Sequence, residues 1–425
     1  MSEHRAIKSP TARRRFLALS SHDQPALDAL RAVAAFAVVV THVAFQTGAV
    51  GQGLSGAVAA RLDSGVAVFF VLSGYLLTSP YVTAAGAAAQ APSPRRYLWH
   101  RALRILPAYW VACVTALLFV PQNRTVSPGT VTRNMALIQI YRPGDLLQGF
   151  TQTWSLATEA AFYVLLPLLA LVLVSSLRRG RIGSVIAMTA VLIVVNLAFI
   201  IVAQSSHLLD RSVTGFWVPS FTSWFASGMV LAAIRRGNHR ILAATRSRLN
   251  AAAAAPLACW TIAAGTLLIA STPLAGPRAF EAVPTAGQAV AKNVLYLILA
   301  VSLTIPLAFG QDHPTRFARW LSTATWRFFG EISYGVFLWH LIVLAAVMMI
   351  LKVQLFTGDF VPVLLLTLYG SIMLATASLF LLERPALRLR NLGPGRRPPA
   401  QPGDASGAAD GGTVATAANA DATAS

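Results

Sequence analysis

Ten long apolar runs dominate this sequence and limit what it can fold into. Each is close to the roughly 20 residues that a helix needs to cross a bilayer. Soluble domains carry about 25% charged residues, but here only 12% of 425 residues are charged and 56% are hydrophobic. The sequence therefore predicts an all-α integral membrane protein, a bundle of about ten transmembrane helices. The predicted spans are residues 27–47, 66–83, 103–121, 156–177, 183–203, 217–234, 252–271, 289–309, 330–351 and 360–382, with the second and sixth the weakest.

The positive charges alternate between the two sides of these spans. Arginines crowd the connections on the side of the N-terminus, whereas the opposite loops hold scattered ones. Cytoplasmic loops of membrane proteins carry such an excess of Lys and Arg. We therefore expect a multi-pass protein of the inner membrane with both termini in the cytoplasm. The same bias accounts for 34 Lys+Arg against 15 Asp+Glu, so no nucleic-acid partner is expected, because that needs a soluble basic face.

The two ends of the chain differ from the bundle. Residues 1–25 are polar and basic, and residues 391–425 are rich in Pro, Gly and Ala. Neither segment can bury a core, so we expect a disordered arm and a disordered tail around one transmembrane domain, residues 26–390. Cys113 and Cys259 lie in apolar runs and predict neither a disulfide framework nor a metal site.

The first span carries ionisable residues that are costly inside a bilayer. Arg31 and His42 are eleven positions apart, which is three helical turns plus about 20° and roughly 16 Å along the axis. They share one face, which we expect to point into the bundle. His42 fits a general base near neutral pH. The alternative is that His42 is a hydrogen-bonded core histidine and that Asp28 and Arg31 form an ion pair at the membrane interface. This helix alone leaves both interpretations open.

Two further spans carry polar groups with two interpretations each. Glu159 lies near the start of the fourth span, where a carboxylate suits the helix dipole. Because that span starts outside, Glu159 could instead orient His42 or contact an acceptor hydroxyl. Ser73 precedes Gly74 in the second span, a small-residue break that typically permits close helix packing.

A cluster of arginines precedes the third span. Arg101 and Arg104 are three positions apart and share a helical face, and Arg95 and Arg96 lie just before them. Guanidinium groups bind phosphates well. The cluster is also what the positive-inside bias requires, so the arginines predict a phosphate site only together with other evidence.

Taken in order, these segments resemble the acyltransferase-3 family of integral membrane acyltransferases, over roughly residues 25–390. The family has an arginine and a histidine eleven residues apart in its first helix, matching Arg31 and His42, and a donor-associated Arg-x-x-Arg motif, matching Arg101 and Arg104. The other matching segments are 68–75 (VFFVLSGY), 153–163 with its Trp-Ser-Leu and Glu159, 332–334, 338–340 and 383–385.

The resemblance implies transfer of an acyl group, expected to be acetyl, from cytoplasmic acyl-CoA to a hydroxyl of a carbohydrate-containing acceptor. Surface polysaccharide, glycolipid, peptidoglycan and antibiotic acceptors all fit. Acyl-CoA, this acceptor and membrane lipid are then the partners, without a permanently bound cofactor or metal, and a homo-oligomer stays open. The site residues expected are His42 as general base with Glu159 and Arg31 for catalysis, and Arg101, Arg104, Arg96 and Ser73 for the donor.

The chain departs from the family at one point and leaves rival functions open. The family often has two adjacent acidic residues after Trp-Ser-Leu, but here Glu159 is followed by Ala160. A direct attack on the thioester and a covalent acyl-histidine at His42 are both consistent with the sequence. The rivals are a transporter or flippase, a relay that passes acyl groups to a separate extracytoplasmic transferase, and a scaffold or sensor without catalysis.

Overall fold

The computed structural model describes residues 24–392, apart from residues 88, 206–209, 238, 279–282 and 313. Within these residues the chain forms helices and no strand, which confirms the predicted all-α membrane bundle. The expected disordered arm lies almost wholly outside the described residues, and so does the expected tail. We number the eleven longer helices. They are α1 Pro25–Gln46, α2 Gly65–Gly86, α3 Pro94–Phe119, α4 Thr153–Arg178, α5 Ile182–Ser205, α6 Thr222–Arg236, α7 Arg240–Ala254, α8 Pro256–Ala270, α9 Ala286–Phe309, α10 Ala324–Leu351 and α11 Phe360–Ser378.

Eight helices of the described chain are long and apolar enough to cross a membrane, or nine if α7 and α8 form one bent span. The sixth predicted span corresponds to α6, which has 15 residues. A helix of that length spans about 22 Å, less than the roughly 30 Å hydrocarbon core. The seventh predicted span straddles an 84° bend between α7 and α8. Pro256 begins α8, and proline is tolerated at a helix start but breaks a helix interior.

Helices α2 and α6 cross at a pair of glycines. A Cβ atom added to Gly74 would collide with the backbone carbonyl of Phe225, and one added to Gly228 would collide with that of Val71. Small residues allow such close approach of membrane helices. The short helix α6 is therefore held inside the bundle, and most of its residues are buried.

The long loop between α3 and α4 folds back into the bundle. Gln139 and Phe150 within it are fully buried, and Gln152 donates a hydrogen bond from its amide to the Leu338 carbonyl of α10 at 2.8 Å. Leu338 lies in the middle of α10. Helix α4 therefore begins well below the rim of the bundle, which moves every residue of α4 deeper than a span starting at the surface would.

The glycine crossing gives opposite expectations for two Gly→Ala changes. Gly74→Ala forces α2 and α6 apart, and overpacking of this kind costs about 1–3 kcal/mol. Gly265→Ala, in α8, adds a methyl group into open space and removes a glycine from a helix interior, which stabilises by roughly 0.5–1 kcal/mol. We expect the unfolding midpoint of the purified protein in detergent to fall for Gly74→Ala and to hold or rise for Gly265→Ala. Equal midpoints for the two variants would contradict the crossing.

Candidate functional site

A large cavity of about 1740 Å³ opens at one end of the bundle. It lies between the start of α1, the second half of α2, the first half of α3, the start of α10 and the segment after α11. These are the helix ends that the loop charges assign to the cytoplasm. The cavity exceeds the roughly 300–1,000 Å³ of an ordinary small-molecule site. Its arginines are Arg31, Arg96, Arg101, Arg104, Arg236, Arg384 and Arg390.

Carboxylates neutralise only part of this positive charge. Glu331 receives a hydrogen bond from Arg384 at 2.9 Å, and Asp28 lies 3.9 Å from Arg31. Within the described part of the chain, Arg101 and Arg104 form no salt bridge. The large cavity therefore presents cationic side chains to whatever occupies it, as an anionic ligand with several charges requires.

Several buried polar atoms on the wall of the large cavity lack hydrogen-bond partners among the described residues. Buried polar groups normally have partners, so a set of orphaned atoms around one space indicates a polar occupant. These atoms are Tyr81 Oη, Tyr97 Oη, His100 Nε2, Arg101 Nε, Arg236 Nε and Glu383 Oε1.

Glu383 reaches this wall through an irregular helix. Residues Leu379–Glu383 form a π-helical turn at the end of α11, and such turns are rare and frequent at functional sites. The Glu383 side chain is buried and lies within electrostatic range of Arg104. Glu383 therefore contributes a carboxyl group to the wall of the large cavity.

A small cavity of about 40 Å³ lies deeper in the bundle and shares Arg31 with the large one. Arg31 and Glu159 give it a polar side. Ser333 and Tyr334 also border it, but their hydroxyls already donate to the backbone carbonyls of Gly330 and Ile105. Ser155 also lines it and donates its hydroxyl to the Gln152 carbonyl, and the apolar part of the wall comprises Phe69, Phe70, Leu156 and Phe337.

Ser73 and Glu159 are in direct contact. The Ser73 hydroxyl donates a hydrogen bond to the Glu159 carboxylate, and Glu159 lines the small cavity together with Arg31. Glu159 therefore lies beside Arg31 and Ser73. Among the described residues it forms no hydrogen bond with His42. The cause is the deep start of α4, which the sequence pattern did not reveal. Arg96, Arg101, Arg104 and Ser73, the residues expected for the donor, line the large cavity together with Arg31, which was expected for catalysis.

His42 lies beyond the small cavity, paired with a second histidine. The Nε2 atom of His340 is 3.4 Å from Nδ1 of His42. His42 Nδ1 also lies 2.8 Å from the Val38 carbonyl, and His340 Nδ1 lies 2.7 Å from the Phe337 carbonyl. Carbonyl oxygens only accept hydrogen bonds, so both Nδ1 atoms carry the proton.

This arrangement fixes the tautomer of His42. In the neutral ring its Nδ1–H points to Val38 and to the lone pair on His340 Nε2, so Nε2 of neutral His42 is the unprotonated nitrogen. An imidazole whose free nitrogen carries a lone pair is prepared to accept a proton. His340 is fully buried, whereas His42 is partly exposed, so His42 is the member of the pair that a substrate can reach.

Two phenylalanines stand between the small cavity and the histidines. The ring centroids of Phe69 and Phe337 are 5.9 Å apart, and Phe337 lies 5.9 Å from the His340 ring. The order along the bundle is therefore the large cavity, Arg31, the small cavity, the Phe69–Phe337 pair and the histidines.

Sequence reasoning missed the contact of His340 with His42 and the contributions of Arg236 and Arg390 to the large cavity. His340 did carry a signal, since a histidine in mid-span is costly unless it has a partner. The arginines carried none, because the charge bias of the loops explains them without a site.

The fold and the two cavities that share Arg31 define an integral membrane protein with a cationic cavity at one end and a histidine pair deeper in the bundle. The family comparison specifies this class: the chain belongs to the acyltransferase-3 family, whose model, described as an acyltransferase domain, matches residues 24–381. The protein is thus a membrane acyltransferase, as the resemblance predicted.

A curated relative agrees with this assignment. Nodulation protein 10 of Rhizobium leguminosarum bv. viciae is 28% identical to this chain over 355 residues, which cover 77% of this chain and 82% of that protein. No solved structure gives a significant match.

The histidine geometry makes a spectroscopic prediction. With ¹⁵N-histidine label in lipid nanodiscs, His42 is expected to show a protonated Nδ1 and an unprotonated Nε2, because Val38 accepts from Nδ1. The resonance is assigned by its loss in His42→Gln, and solid-state NMR measures both nitrogens. A protonated Nε2 at neutral pH would contradict the structure.

Proposed function

We propose that this protein transfers an acyl group from cytoplasmic acyl-CoA to a hydroxyl group of a carbohydrate-containing acceptor, with His42 as the general base. The observation that carries the proposal is the cationic large cavity, which meets the small cavity at Arg31. Beyond the small cavity lies the histidine pair, whose partly exposed member, His42, has a free Nε2. Surface polysaccharide, glycolipid, peptidoglycan and antibiotic acceptors all fit this chemistry.

The large cavity suits the nucleotide end of the donor. CoA carries several phosphates, and Arg101 and Arg104, which lack carboxylate partners among the described residues, would bind them, with Arg96 at the mouth. The orphaned polar atoms of Tyr97 and His100 would pair with the ligand. A charge-assisted hydrogen bond contributes about 1.5–3 kcal/mol.

The reaction is a single displacement at the thioester carbonyl. His42 Nε2 takes the proton of the acceptor hydroxyl while its oxygen forms a bond to the carbonyl carbon. The C–S bond then breaks, and the CoA thiolate leaves and takes up the proton from the His42 imidazolium. Atoms and charge balance without a cofactor, and the positioned base contributes typically 10²–10⁴-fold.

Arg31 and Glu159 have different tasks in this reaction. Arg31 borders both cavities, where a guanidinium can stabilise the negative charge that develops on the thioester oxygen. Glu159, held by Ser73, balances the charge of Arg31 and keeps it in place, so we propose it as a positioning residue.

The proposed orientation follows from the charges. The large cavity opens among the helix ends whose connections are rich in arginine. The positive-inside bias places these connections in the cytoplasm. His42 then lies toward the outer side, four residues before the end of α1, where an acceptor from the cell surface would arrive. We propose the inner membrane as its location.

Replacing Arg101 or Arg104, which form no salt bridge among the described residues, should weaken donor binding more than it slows turnover. For Arg101→Gln and Arg104→Gln we expect the KM for acetyl-CoA to rise about 10- to 100-fold each, which is 1.4–2.8 kcal/mol. The rate at saturating donor should change less. Arg327→Gln, an exposed arginine outside the large cavity, is the matched control. An unchanged KM in both cavity variants would remove the cavity from donor binding.

Loss of His42 should abolish turnover while donor binding persists. We expect His42→Ala, in nanodiscs with an extract of host glycans and glycolipids, to lose at least about 10²-fold in the rate of acetyl-CoA consumption. His340→Gln keeps an acceptor atom for Nδ1–H of His42 and should retain more activity than His340→Ala. Full activity in His42→Ala would rule it out as the base. A wild type that moves a glycan without consuming acetyl-CoA would establish the transporter instead.

A further inference from the structure

The small cavity lies where the reactive end of a bound donor must pass. Arg31 is a wall residue of both cavities, so a ligand that fills the large cavity reaches the small one at this guanidinium. The far side is closed by Phe337, whose ring contacts His340. A thioester delivered toward His42 therefore places its acyl group in the small cavity.

The two sides of the small cavity match the two ends of an acyl group. Arg31 and Glu159 form the polar side, where a carbonyl oxygen can accept a hydrogen bond from the Arg31 guanidinium. Phe69, Phe70, Leu156 and Phe337 form the apolar side, where a hydrocarbon chain belongs. The hydroxyl groups of Ser333 and Tyr334 are engaged with backbone carbonyls, so they add little polarity to the space.

The volume of the small cavity limits the length of the acyl chain that it can hold. The small cavity has a volume of about 40 Å³, against about 1740 Å³ for the large cavity, so it suits a short acyl chain better than a long one. An acetyl group has three non-hydrogen atoms, a butyryl group five and an octanoyl group nine. A longer chain has to displace Phe337 or Phe69, which pack against each other.

We propose that the small cavity holds the acyl group and that Phe69, Leu156 and Phe337 restrict the donor to short acyl chains. This inference rests on the proposed function and assigns its donor class to particular side chains. Phe337 closes the end toward the histidines, and its exchange for a smaller residue joins the small cavity to the space beyond it. Leu156 and Phe69 narrow the sides.

The test is a competition between donors of different length. The full chain in nanodiscs receives acetyl-CoA, butyryl-CoA and octanoyl-CoA together with the host glycan and glycolipid extract, and the consumption of each is measured. We expect the wild type to prefer acetyl-CoA. Because each methylene in an apolar site changes discrimination by about 10- to 200-fold, Phe337→Leu should raise the butyryl-to-acetyl ratio by about tenfold or more.

Two further variants make the result interpretable. Phe69→Leu removes bulk at a partly exposed position, so it serves where Phe337→Leu fails to fold, and it should shift the ratio in the same direction. Phe329→Leu, on the same helix α10 and packed against Phe36 away from the small cavity, is the matched control and should leave the ratio unchanged.

The outcomes separate the inference from the proposed function. An unchanged ratio in active Phe337→Leu and Phe69→Leu overturns the inference and leaves acyl transfer standing. A wild type that prefers octanoyl-CoA also overturns it. A wild type that consumes none of the three donors overturns the proposed function, and the inference with it.

Discussion

The structure depends on the cost of a charged group inside a membrane. A guanidinium in the hydrocarbon region must find partners within the protein or face water. Arg31 satisfies this requirement by standing beside Asp28 at the junction of two cavities. Once Arg31 is fixed there, the other arginines of the large cavity can face the same water-filled space, and the bundle keeps its charges off the lipid. The free-energy cost of burying these arginines in the membrane thus accounts for the large cavity that they line.

The chemistry is separated in depth because α1 carries both of its costly residues on one face. Arg31 and His42 are roughly 16 Å apart along the axis. A donor bound among the arginines would therefore contact His42, the proposed base, only if a flexible part of the donor extended inward. That distance suits a large ligand with a flexible arm. It also explains why the histidines carry their own hydrogen bonds to Val38 and Phe337, since nothing from the large cavity is available to orient them.

The sequence predicted the helical bundle and the family, because each rests on local periodicity, charge or ordered motifs. Features that depend on depth were not predictable. The bend between α7 and α8 follows from Pro256, but a window of apolar residues averages across it. The level of Glu159 is set by Gln152 and its partner on α10, a contact 186 positions away in sequence.

In the proposed reaction, the Phe69–Phe337 pair would explain how a site open to water on one side can hold a thioester. Water that followed the donor inward would reach the carbonyl carbon and compete with the acceptor hydroxyl. The rings close the small cavity toward the histidines, and His340 is fully buried behind them. An acceptor must then enter from the side of His42 and displace a ring before the base and the carbonyl carbon meet. Under this proposal acceptor binding and exposure of the thioester would become one event, so the aromatic packing proposed to limit chain length would also limit hydrolysis.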